Sequence, residues 1–160
     1  MEFNFIAITV AAFVPLIVGF FWYNPKVFGN PWMQAAGITD EQIKAGNMAK
    51  IFGLAFVFAF LLAFMLPTVV NHQMGAMSLM GGDVEKALPS YHAFMDDYGN
   101  AFRTFKHGVL HGVLVGIFFV LPILGTNALF ERKSAKYIFI NVGFWIVSLA
   151  IMGGIICGWQ

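Results

Sequence analysis

Residues 3–23, 51–70, 107–130 and 137–159 contain no Asp, Glu, Lys or Arg, and each run is apolar over most of its length. A helix of roughly 20 such residues reaches across the hydrocarbon of a bilayer. Lipid offers the backbone no hydrogen-bond partner, so a spanning segment must satisfy its own polar groups. The pattern predicts an all-α integral membrane protein of one domain, 1–160, with four transmembrane helices in a compact bundle. Composition bears on the same point: 59% of the residues are hydrophobic and 11% charged, where a soluble domain carries about 25% charged residues. There are too few charges to coat a water-facing surface. A net charge of +1 with no Lys/Arg cluster excludes a nucleic-acid partner and leaves the lipid bilayer as the expected one. Cys157 is the single cysteine, so an intramolecular disulfide is excluded and a Cys-based zinc site disfavoured. The first run lacks the basic start of a secretory signal, since Glu2 is acidic. It is also longer than a signal's apolar stretch of about 7–15 residues, and reads as a retained span.

Four spans put both ends of the chain and the 71–106 connection on one side, and the 24–50 connection with the 131–136 turn on the other. Lys26, Lys44, Lys50, Arg132, Lys133 and Lys136 fall on the second side; Lys86, Arg103 and Lys106 fall on the first. Short cytoplasmic loops are enriched in Lys and Arg. The second side is therefore expected to be cytoplasmic, and the termini and the 71–106 connection non-cytoplasmic.

The stretch FFWYNPKVFGNPWMQAAGITDEQ, residues 20–42, is where the first span ends. Trp22, Tyr23 and Trp32 are amphipathic rings suited to headgroup depth. Pro25 stops the helix by disfavouring helical backbone at Asn24. Asn30 is expected to cap a short new helix, with Pro31 at its first position, where the missing N–H costs nothing. Gly37 would end it, and Thr39 with Gln42 forms a capping box for the next. The result is an interfacial elbow at 24–38 leading into the second span.

WYNPKVFGNPWMQAAGIT, HGVLHG, LFERKSAKYIFIN and IMGGIICGW together resemble the bacterial integral-membrane family known as domain of unknown function 1761. The resemblance covers about 19–50 and 104–159. It implies a small four-span fold in the bacterial inner membrane, and it supplies no activity and no catalytic residue.

Helices in lipid associate through close backbone approach at small residues. Each span carries such a stripe at four-residue spacing: Ala7, Ala11, Pro15 and Gly19; Ala55, Ala59 and Ala63; Gly108, Gly112 and Gly116; Ala150, Gly154 and Gly158. They predict packing within the bundle, or alternatively a homodimer face built on the Gly108 series. The short ERKSAK turn makes the third and fourth spans antiparallel neighbours. Asn127 and Asn141 then sit at similar depth, placed to bond each other or to cap the turn.

His107 and His111 are four apart, so they share one helical face and can act as two ligands of a transition metal. The glutamate of a metalloprotease HExxH motif is missing. Candidate further ligands are His72, Glu2, His92, Asp96 and Asp97. In HQMGAMSLM, His72 with Met74, Met77 and Met80 offers soft donors for Cu(I), while methionines also simply fill apolar gaps. Residues 91–106 read as an amphipathic helix with Tyr91, Phe94, Tyr98, Phe102 and Phe105 on one face, expected to cover the outer end of the bundle. No span holds the carboxylate or base of a proton relay, and there is no phosphate-binding loop, GxSxG elbow or haem-attachment motif. The leading expectation is a non-enzymatic accessory protein, without cofactor, that packs with itself or within a larger membrane complex. The competing one is binding or transport of a metal (Cu or Zn) or a small ligand near the outer face through His107 and His111, with His72 as a candidate third ligand.

Overall fold

The computed structural model describes residues 3–81 and 83–159, and every regular element among them is helical. Four helical stretches are long and apolar enough to cross a membrane: Phe5–Trp22, Met48–Val70, Phe105–Phe130 and Ala135–Gly158. The protein is a multi-pass membrane protein. Phe20, Phe58, Phe118, Phe119, Phe130 and Phe139 stand well exposed on the outside of these helices, a surface that lipid tolerates and water does not.

The first span is α1 (Phe5–Trp22), capped by the Asn4 side chain, which accepts from the Ala7 N–H at 2.9 Å. The elbow departs from expectation at one residue. Asn24 accepts from the Lys26 N–H and starts a π-turn over Pro25–Gly29, which runs without a break into α2 (Asn30–Ala36). Asn30 is thus already helical and is not an N-cap, because the chain re-enters helix at Pro25 and not at Pro31. Gly29 is required there, since a side chain would overlap the Tyr23 carbonyl. Gly37 closes α2 at φ +73°, and the Thr39–Gln42 capping box opens α3 (Asp40–Ala45) as the sequence predicts.

The second span is α4 (Met48–Met65) continued by α5 (Pro67–Val70). The connection that follows holds α6 (Gln73–Ser78) and α7 (Pro89–Tyr98). The expected helix over 91–106 is divided: α7 stops at Tyr98, the chain turns through Phe102 at φ +60°, and the third span starts afresh at Phe105. No residue of α7 is buried. Its aromatic residues therefore do not form the expected cover over the bundle; Phe102 and Phe105 belong to the turn and to the next helix. The third span is α8 (Phe105–Val115), a π-turn at Gly116–Val120, and α9 (Leu121–Phe130). Pro122, which lacks an N–H and crowds the carbonyl four residues back, accounts for that widened turn. The fourth span is α10 (Ala135–Gly158), capped by Ser134.

α10 is the centre of the bundle. It packs along α8 on one side and α1 on the other, and α1 in turn packs on α4. The α8–α10 contact is backbone against backbone. A Cβ added at Gly108 would overlap the Gly153 carbonyl, and one at Gly112 the Leu149 carbonyl. Gly116 lies on Ile146, while Gly154 and Gly158 lie under Phe105. Ala7, Ala11, Ala59 and Ala63 are buried at the α1–α4 side, and Gly19 faces Phe144. The Gly108 series is consumed inside the chain and is not free to form a homodimer face. Pro15, Gly19 and Ala55 border a cleft at the elbow end.

The aromatic anchors also turn inward. The Trp22 indole N–H donates to the Ile140 carbonyl at 3.1 Å, and the Tyr23 hydroxyl donates to Asn141 Oδ1 at 3.0 Å. Trp32 packs edge-on against Tyr23, and Lys133 Nζ donates to the Ala36 carbonyl at 2.7 Å. Asn141 therefore pairs with Tyr23 and with the Tyr137 carbonyl, while Asn127 stays exposed. The expected Asn127–Asn141 contact is replaced because a phenol from α1 reaches Asn141 instead.

If the α8–α10 contact sets the fold, Gly112→Ala must force the two backbones apart, at a cost of about 1–3 kcal/mol. Gly53→Ala, which meets nothing within 4 Å, is expected to be neutral. Thermal unfolding of both variants in one detergent checks the contrast.

Candidate functional site

Three of the four histidines converge at the end of the bundle where Asn4 and Trp159 lie. Thr104 caps α8, its hydroxyl accepting from the His107 N–H at 3.2 Å. This sets His107 in the first turn and His111 one turn later on the same face. His72 arrives from a different element: it sits between α5 and α6, and α5 packs against both α8 and α10. The ring centroids are 4.9 Å apart for His72–His107, 5.1 Å for His72–His111 and 4.5 Å for His107–His111. One ligand nitrogen from each ring lies within 4.8 Å of the others. The His72 and His107 Nε2 atoms are 2.8 Å apart, so one ring donates its N–H and the other accepts.

The surroundings hold this arrangement from two sides. Gln73, adjacent to His72, is buried, and its amide donates to the Tyr98 and Ala101 carbonyls at 2.7 and 2.9 Å. The buried thiol of Cys157 on α10 lies 3.4 Å from both the Val70 and the Phe102 carbonyl oxygens. Together they pin the 98–104 turn over the histidine end. At its tip Phe102 adopts a left-handed backbone conformation, which costs a residue with a side chain roughly 1–2 kcal/mol. The ring it carries lies 5.1 Å from the His107 ring and 5.9 Å from that of His72. Strain of this kind persists where the surroundings over-determine it; here two buried side chains do so.

The other candidate ligands do not join. His92, Asp96 and Asp97 are exposed on α7, and Glu2 lies outside the described residues. Met74 and Met77 line a separate cleft with Thr68, whereas the ring contacts of His72 are with Phe102, His107 and His111. The Met-rich segment thus contributes His72 to the triad and leaves Met74 and Met77 apart from it. Sequence reasoning missed Gln73, Phe102 and Cys157. Their roles depend on carbonyls and rings far away in the chain, and no local spacing announces them.

Three imidazoles converging without a carboxylate or thiolate suit a first-row transition ion such as Zn, Cu, Fe or Ni, and not Mg or Ca, which prefer oxygen donors. Metal–nitrogen bonds of about 2.0–2.1 Å at a tetrahedral centre set ligand nitrogens about 3.3 Å apart. The triad needs shifts of ångström scale, within side-chain rotation, to meet that spacing.

If Gln73 clamps the turn, Gln73→Leu leaves two carbonyls unpaired at about 1–3 kcal/mol. Hydrogen exchange should then speed up about tenfold or more over residues 98–104, with α9 unchanged.

A family model described as a protein of unknown function (DUF1761) matches residues 6–157. No curated protein and no solved structure matches the chain.

Proposed function

We infer, for a chain that belongs to the DUF1761 family of proteins of unknown function, that it is a membrane protein binding one transition-metal ion through His72, His107 and His111. The observation that carries this is the convergence of three imidazoles from two elements 35 residues apart. A histidine pair on one helix face follows from sequence spacing alone, but a third ring brought to it across a connection does not. Among the described residues this is the group of three or more His, Cys, Asp or Glu side chains with metal-ligand proximity.

An accessory role built on small-residue faces loses its main support, because those faces are buried between the chain's own helices. The histidine site is proposed as a binding and not a catalytic centre. The side chains that hold the site, namely the Phe102 ring, the Thr104 hydroxyl, a buried amide and a buried thiol, are engaged with rings and backbone groups. The excess of basic residues at the elbow end supports placing the triad on the non-cytoplasmic side, where it would meet ions arriving from outside the membrane.

The test is titration of the full chain, purified in mild detergent without chelator, with Co(II), Zn(II) and Cu(II). One ion per chain is expected, with Co(II) giving the visible absorption of a low-coordinate nitrogen site. His111→Ala is expected to weaken binding at least tenfold, in the range seen when a metal site loses a supporting group, while His92→Ala has no effect. Equal binding by the native chain and a His72→Ala/His107→Ala/His111→Ala chain would leave the triad as a hydrogen-bonded structural contact.

A further inference from the structure

The opposite end of the molecule holds a cleft of about 900 Å³ between α1, the elbow and α4. Its walls include Leu16 and Phe20 of α1, Ile43 of α3, and Ile51, Phe52 and Ala55 of α4. The size is within the range of ligand sites, and the lining is apolar with few polar groups, as such sites are. α3 forms one side of it and has no buried residue. It hangs between Gly37, in a left-handed conformation, and Gly46. Phe20 and Phe52, at 73% and 57% exposure, put it in contact with the bilayer.

Charge beside the cleft is mixed but basic on balance, with one acid, Glu41, next to the lining residue Gln42. Asp40 and Glu41 line a different depression, with Asn30, Met33 and Gln34. Lys44 follows the lining residue Ile43 and Lys50 precedes Ile51, and both are exposed. The elbow end as a whole carries six basic residues against the three acids Asp40, Glu41 and Glu131. We propose that this cleft binds a single membrane lipid with an anionic headgroup, its acyl portion between α1 and α4 and its headgroup against Lys44 and Lys50. The apolar walls take the chain, and basic residues near the interface favour an anionic lipid over a zwitterionic one. The proposal is independent of the histidine site, which lies at the other end of the spans.

The experiment is native mass spectrometry of the full chain in mild detergent, titrated with phosphatidylglycerol or with phosphatidylcholine of the same acyl chains. One phosphatidylglycerol adduct is expected, favoured over phosphatidylcholine about tenfold or more. Lys44→Gln/Lys50→Gln, two exposed changes that leave the packing intact, should abolish that preference. Ala55→Phe, which fills the cleft, should remove the adduct while Gly53→Ala retains it. Equal retention of the two lipids by the native chain would overturn the proposal, and so would a phosphatidylglycerol preference that survives the lysine changes. An adduct undiminished in Ala55→Phe would place the lipid elsewhere on the protein, with the same consequence.

Discussion

The contact between α8 and α10 is made by glycine against backbone. Gly108 meets Gly153, and Gly112 meets Leu149, with no side chain between them. In lipid, apolar side chains gain nothing by leaving lipid for one another, so a helix pair is held by the closeness of its surfaces. This pair approaches too closely to admit a Cβ at Gly108 or Gly112. α10 then becomes the element to which the others are referred: α1 lies along its second face, and α4 reaches the bundle through α1. The same contact fixes the rotation of α8. With the glycine stripe turned inward, His107 and His111 lie just off the seam, toward α5 and the turn that carries His72. The histidine triad is therefore a consequence of helix packing as well as of helix spacing.

Much of this was legible in the sequence, and for one physical reason. A bilayer turns fold into a problem of length and polarity, and residues 3–23, 51–70, 107–130 and 137–159 answer it within a few residues of the observed spans. Local backbone chemistry was readable too, as at the Thr39–Gln42 capping box and Gly37. What failed was inference about partners. Trp22 and Tyr23 have the composition of headgroup anchors, yet their polar atoms bond to α10, because a carbonyl and an amide within reach compete with solvent. The 91–106 segment has helical spacing of aromatic residues, but Gln73 and Cys157 draw its second half into a turn. Tertiary hydrogen bonds overrode a periodicity that was real over only ten residues.

The two ends of the bundle differ in how they are held. At the histidine end, the core residues Ile8, Leu66, Val70, Met152, Ile156 and Cys157 pack together, and the buried amide of Gln73 ties the connection down. At the elbow end, α3 makes no buried contact and a large apolar space remains between α1 and α4. A chain with limited stability cannot rigidify every part, and the parts left loose are those where ligands enter or leave. The strain at Phe102 is stored at the tight end, where buried hydrogen bonds can maintain it. The glycine-bounded α3 has no buried residue of its own to hold it. A preorganised site for a small ion and an adaptable one for a flexible lipid would require this distribution of rigidity, because imidazoles must be held to within ångströms while an acyl chain conforms to whatever space it is given.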